Sequence, residues 1–149
     1  MENKYPELII ECNGFTNGET FPVDYTHRGK ETSPEFLLKN LSENGKTITI
    51  IFDDLDQPMN HWLIWNIPAI EIIPGNLPDE KILTSLGNAK QKTRYRGPNP
   101  PKSVRHKYQF NFYVLDCSLT IKSNPTKMQL EEAMEGHIIQ YGVLYGYFE

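Results

Sequence analysis

Apolar and polar residues alternate with period two along several short runs, the spacing that sends successive side chains to opposite faces of a strand. In Tyr108 to Leu115, the side chains of Tyr108, Phe110, Phe112 and Val114 share one face, with Gln109 and Asn111 opposite. The closing run, Ile138 to Phe148, places Tyr141, Val143, Tyr145 and Tyr147 on one face and Gly142 and Gly146 on the other. Lys46 to Phe52 is rich in Ile and Thr, which pack well on a pleated surface. His61-Trp62-Leu63-Ile64-Trp65-Asn66-Ile67 is apolar on both faces except at its ends, as suits a strand covered on both sides. Leu8-Ile9-Ile10 is the first strand candidate. Eleven prolines and ten glycines interrupt these runs, which predicts a loop-rich β protein. One helix is expected, with Asn124 as N-cap, Pro125 at the first helical position and Gly136 just past the end. Met128, Ala133 and Met134 would face a core and Glu131, Glu132 and Glu135 solvent. Glutamates in the C-terminal half oppose the helix dipole, so packing must hold this helix.

The chain has 149 residues, 38% hydrophobic and 23% charged, which fits one globular domain spanning 1–149 with a single good core. No apolar run approaches the roughly 20 residues that span a bilayer. The start, Met1-Glu2-Asn3-Lys4-Tyr5-Pro6, lacks the charge and apolar core of a signal peptide, so a cytoplasmic location is expected. Cys12 and Cys117 are too far apart in sequence for a zinc pair and too few for a disulfide scaffold, and are expected as reduced, part-buried thiols.

Charge changes the picture more. The net charge is −4, yet from Lys81 to Leu115 there is no Asp or Glu, while eight of the fifteen basic residues lie there. They flank the turn Gly97-Pro98-Asn99-Pro100-Pro101 and His106. Local potential rather than net charge steers a ligand, so an anionic partner is indicated beside the alternative of a solvated basic loop. Nucleic acid is not expected as a partner, because the cluster lacks a recognised binding module and the global charge is negative.

Three polar clusters carry candidate chemistry. Asp53-Asp54-Leu55-Asp56-Gln57-Pro58 follows a strand; its carboxylates suit calcium or magnesium, but a short turn offers too few oxygens, and a plain turn explains the same residues. His61 opens one apolar run and His106 another. Two histidines near backbone amides can hold an oxyanion while a carboxylate orients an imidazole. The same set can be drawn as a metal site or an acid/base pair, but no nucleophile elbow, phosphate-binding glycine loop, dinucleotide fingerprint or zinc spacing accompanies it. No catalytic residue, metal or cofactor is therefore assigned.

These residues also carry a resemblance. Asp54-Leu55-Asp56-Gln57-Pro58 resembles the Asp-Pro-Asp-x-Pro motif of the phosphatidylethanolamine-binding protein family, and His61 to Pro68 resembles its His-Trp-x-x-x-Asn-Ile-Pro strand. Tyr95-x-Gly97-Pro98-x-Pro100-Pro101 and His106-Lys107-Tyr108 are similar to its Tyr-x-Gly-Pro-x-Pro-Pro and His-Arg-Tyr elements. Leu115-Asp116, Met134 to Ile138 and Gly146-Tyr147 are similar to the bacterial and archaeal, Raf-kinase-inhibitor-like branch, and Phe15, Gly18, Pro22, Tyr25, Gly29, Ser33 and Pro34 fall in the family's order. The resemblance implies a Greek-key antiparallel β-sandwich with one short helix near the C-terminus and a small anion pocket at one end of a sheet. Its walls would be Asp54, His61, Gly97, Pro98, Pro100, Pro101, His106 and Tyr108, with Asp56 in support. The ligand it implies is phosphate, a phosphomonoester or a phospholipid headgroup, without catalysis. A protein kinase or protease partner and a homodimer are further expectations. An enzyme acting on a phosphorylated small molecule and a module docking through the basic loop are the rival readings.

The chain departs from the family pattern in places. Leu55 replaces the first motif proline and frees that turn's backbone, Glu35 stands for a second proline, and Lys107 stands for Arg, which removes a bidentate donor. The basic residues at even positions 90 to 96 are peculiar to this chain.

Overall fold

A computed structural model describes residues 4–149; of the opening segment read for a signal peptide, Met1 to Asn3 lie outside the described residues. The strands, in chain order, are β1 (Ile10–Cys12), β2 (Phe36–Leu38), β3 (Thr47–Asp54), β4 (Met59–Pro68), β5 (Ile72–Ile73), β6 (Ile82–Leu83), β7 (Ala89–Gln91), β8 (His106–Leu115) and β9 (Ile138–Phe148). They form an antiparallel sheet of three strands, ordered β1-β2-β5, and one of six, ordered β6-β7-β4-β3-β8-β9. Strand β8 returns to the far side of β3 from β4, which is the Greek-key order. Among the described residues no helix is long and apolar enough to cross a membrane.

The two sheets enclose the main core. Ile48, Ile50 and Phe52 of β3 and Tyr108, Phe110, Phe112 and Val114 of β8 meet Phe36, Leu38 and Ile73 of the small sheet, all fully buried or nearly so. Phe52 and Phe110 stack with centroids 3.8 Å apart, and the Phe36 ring stands edge-on to Phe110 and Phe112 at 5.0 and 4.9 Å. The alternation expected in β8 is thus the inner face of the sandwich. The opposite face of the large sheet has its own core, where Ile51, Leu63, Trp65 and Leu115 meet Leu130 and Met134 of α1 (Lys127–Met134). Two covered faces explain why β3 is buried along its whole length and why β4 reads as apolar throughout.

Three expectations are corrected. The first strand lies at Ile10–Cys12, while Leu8 instead bonds to the Tyr141 carbonyl. The helix N-cap is Thr126 rather than Asn124: the Thr126 hydroxyl accepts from Gln129 N–H and the Gln129 side chain accepts from Thr126 N–H. That reciprocal pair satisfies two donors at once and outweighs the single cap Asn124 offers, leaving Pro125 outside the helix. The shift rotates the buried stripe onto Leu130 and Met134, one turn apart, and leaves Met128 68% exposed instead of core-facing. Glu131, Glu132 and Glu135 face solvent as expected.

The inner-face glycines of β9 have a tertiary reason. The N-terminal segment runs along that strand, with bridges from Glu7 to Tyr141 and from Thr20 to Tyr147, and blunts an otherwise open edge. A Cβ on Gly142 would sit 2.1 Å from the Leu8 carbonyl oxygen.

Candidate functional site

The ends of β3, β4 and β8 bring the predicted residues to one end of the sandwich, since Asp54 is opposite both Met59 and Tyr108 in register. A bulge matters here. Pairing passes from Phe52–Trp62 to Asp53–Asn60, so His61 is the extra residue on β4. Bulges re-aim side chains, and this one puts the His61 ring on the same face as its neighbour Trp62. His61 lies edge-on to Phe52 and Tyr108, at 5.7 and 5.4 Å between ring centroids, while Trp62 meets Tyr95 at 5.3 Å.

Asp54 organises the turn after β3. Its Oδ1 accepts from the backbone N–H of Asp56 at 2.8 Å and of Gln57 at 3.0 Å, and its Oδ2 accepts from His106 Nδ1 at 2.7 Å. Asp56 Oδ2 accepts from Lys107 N–H, which ties the turn to β8. Burial alone would raise the Asp54 carboxyl, but the His106 bond and the two turn amides outweigh it and hold it below the usual range. Hydrogen bonding therefore explains these carboxylates as a built turn, the simpler of the two sequence readings.

Each imidazole has a defined tautomer. His61 Nδ1 donates to the Arg96 carbonyl at 3.1 Å, and a carbonyl can only accept, so Nε2 is the remaining nitrogen of His61. His106 Nδ1 is likewise bound to Asp54, and its ring packs 6.2 Å from that of Tyr108. Tyr108 Oη is buried beside Asp54 and the Asn99 amide without a hydrogen bond of ordinary geometry. Burial first and the Asp54 charge second raise its phenol.

A pocket of about 260 Å³ opens beside these groups, lined by Asp54, His61, Gly97 and Asn99 together with Glu31, Arg94 and Arg96. Of the sequence-predicted residues, Asp54, His61 and Gly97 line it directly. His106 and Tyr108 are buried next to Asp54 without lining the pocket, and Asp56 lies in the exposed turn that it ties to β8. The segment 97–101 packs on the loop around Tyr25 to Arg28: His27 N–H donates to the Pro98 carbonyl, the Arg28 guanidinium to the Pro100 carbonyl and the Tyr95 hydroxyl to the Tyr25 carbonyl. The approach is so close that a Cβ on Gly97 would lie 2.3 Å from the Tyr25 oxygen. Pro98 and Pro100 are buried in this contact and Pro101 is exposed.

Sequence reasoning missed Glu31. Its Oε2 accepts from the Gly97 N–H at 3.1 Å and from His27 Nδ1 at 3.2 Å, and its Oε1 accepts from Arg94 Nη1 at 3.1 Å. Burial opposes ionisation, yet the Gly97, His27 and Arg94 contacts together lower the carboxyl below its ordinary value. The residue has φ +56°, a left-handed conformation that costs a non-glycine residue of order 1 kcal/mol and persists where surrounding contacts enforce it. Nothing in Lys30-Glu31-Thr32 marks it; His27 is four residues away, but its other two partners are 66 and 63 residues away. Of the basic run at positions 90 to 96, Arg94 and Arg96 line the pocket and Lys92 lies on the adjoining surface, so the segment without acidic residues borders the site.

Comparison with known proteins places the fold. A UPF0098 protein of Pyrococcus abyssi is 39% identical over 153 residues, covering 96% of this chain and 86% of that one. Another, from Chlamydia muridarum, is 32% identical over 152 residues, covering 95% and 99%. The crystal structure of a putative phosphatidylethanolamine-binding protein homologue from Chlamydia trachomatis superposes with a TM-score of 0.80 at 27% identity, over 96% of this chain and 97% of that one. Escherichia coli YbcL shares the fold, with a TM-score of 0.82 at 22% identity over 96% and 98%. The family model described as phosphatidylethanolamine-binding protein matches residues 12–149, and the chain belongs to that family.

Proposed function

We propose that this chain is a non-enzymatic binding protein whose pocket takes the phosphate-like group of a small molecule or phospholipid headgroup. One observation carries the reading: a carboxylate, that of Glu31, is held in the pocket by a backbone amide, an imidazole and a guanidinium. Those are the donor types that bind an external oxyanion, and charge-assisted bonds of this kind are the strong ones. Arg96 and His61 Nε2 add polar groups around the same space. A volume of about 260 Å³ is below the range of about 300–1,000 Å³ typical of drug-sized ligands, which favours a headgroup over a whole lipid.

The arrangement argues against catalysis. No Ser, Thr or Cys lines the pocket, both Asp54 oxygens are engaged, and His106 sits behind Asp54 rather than against the space. A general base must reach the proton it abstracts, and in this dyad His106 is off the pocket while the Asp54 oxygens are already engaged. On the same reading, the basic surface of Lys92, Arg94 and Arg96 draws an acidic segment of a partner, a kinase or protease among them, toward the pocket.

Calorimetric titration with inorganic phosphate and with phosphoethanolamine tests the proposal. Saturable binding that His61→Ala weakens by roughly tenfold, about 1.4 kcal/mol, is expected. Binding unaffected by that change would remove the pocket, and hydrolysis of p-nitrophenyl phosphate by the wild-type protein would overturn the non-enzymatic reading.

A further inference from the structure

We propose that Asp116, Cys117 and His137, at the other end of β8 from the anion pocket, form a binding site for a divalent transition metal of the zinc class. One ligand atom of each, a carboxylate oxygen, a thiol sulfur and an imidazole nitrogen, lies within 4.8 Å of the other two. Metal bonds of about 2.0–2.3 Å in a tetrahedral site require donors roughly 3.3–3.8 Å apart. Reaching that spacing needs rotation of side chains, with the Asp116–His137 pair opening from 2.9 Å, and those two side chains are half exposed. His137 Nδ1 and Asp116 Oδ1 already face one another at 2.9 Å, and a metal would take the place of the shared proton.

The backbone holds the donors from both sides. Asp116 N–H donates to the His137 carbonyl at 3.0 Å, directly beyond the Leu115–Ile138 pair that ends the β8–β9 ladder. His137 N–H in turn donates to the Met134 carbonyl, the last residue of α1, and Gly136 supplies the left-handed turn between them at φ +81°. The Thr47 hydroxyl donates to the Cys117 carbonyl at 2.6 Å. All three donors sit in the turns flanking the paired ends of β8 and β9, and these backbone bonds fix those turns.

The donor chemistry selects the metal class. Thiolate with imidazole and carboxylate favours zinc, cobalt or copper over magnesium or calcium, which prefer all-oxygen shells. Three protein ligands leave a fourth position, and the 47% exposure of the Asp116 and His137 side chains opens it to water. A coordinating thiol loses its proton to the metal's charge, so Cys117 would bind as the thiolate.

Cobalt(II) titration of the full chain under reducing conditions reads the site directly. A thiolate-to-cobalt charge-transfer band that saturates at one equivalent and is displaced by zinc is expected. Cys117→Ser should abolish the band and His137→Ala weaken cobalt affinity by about tenfold or more. Cys12→Ser should leave the band unchanged, since Cys12 packs against the other core. Circular dichroism of each variant confirms folding, and unchanged phosphate binding separates this site from the pocket. Absence of the band in the wild type, its survival in Cys117→Ser, or its loss in Cys12→Ser alone would overturn the proposal.

Discussion

Asp54→Ala removes one carboxylate that serves two structures. Its side chain is 5% exposed and accepts three hydrogen bonds. The Asp56 and Gln57 amides belong to exposed residues and regain water when the acceptor goes, so those losses are small. The His106 bond is different: it is buried, 2.7 Å long and charge-assisted, and water replaces it poorly. Hydrogen bonds to charged groups contribute about 1.5–3 kcal/mol each, and stranding a buried partner adds its desolvation, so Asp54→Ala should cost about 2–4 kcal/mol. For a chain of this length that is a fall in Tm of roughly 6–12 °C. Asp54→Asn keeps an acceptor for the turn amides and lets His106 accept from the new amide after a tautomer change, so it should cost about half as much. The pH dependence has a definite sign. The folded carboxyl lies below its ordinary value of about 3.9, so its stabilisation is fully present above that pH and is lost as pH falls through the lowered folded value. Urea denaturation of wild type and both variants from neutral pH down to about pH 3 measures all three effects. Equal costs for Ala and Asn, an Ala cost below about 1 kcal/mol, or an acid limb as steep in Asp54→Ala as in the wild type would refute the reasoning.

Glu31→Gln frees the Gly97 amide, His27 and Arg94 from an internal anion, so phosphate affinity should rise about five- to tenfold, roughly 1–1.4 kcal/mol by calorimetry; weaker phosphate binding would show that Glu31 is a ligand contact rather than a competitor. Phe112→Ala empties the centre of the inner face, where the ring is fully buried against Phe36, and should cost about 3–5 kcal/mol in denaturant midpoints at unchanged m. A cost below about 1.5 kcal/mol would mean that the two sheets close over the gap.

The sandwich and its site were legible where the signal is local or motif-borne. Period two in Tyr108 to Val114 reports one buried face, because a strand turns each side chain by half a revolution, and the inner core confirms it. The continuous apolar run of β4 reports two covered faces, since α1 and the small sheet both pack on its layer. The spacing of Asp54, His61, Gly97 and His106 along the chain marked four strand or turn ends that converge at one end of the sandwich. Tertiary structure decided what convergence does with them. A one-residue bulge aims His61 inward, and Asp54 holds His106 behind itself rather than at the pocket. Glu31 enters from 66 residues away because Gly97 lets the Tyr25–Arg28 loop approach, and Cys117 meets His137 because β8 and β9 end side by side. Periodicity and propensity encode a residue's relation to its own backbone, whereas these meetings depend on strand order, register and loop packing, which are properties of the whole chain.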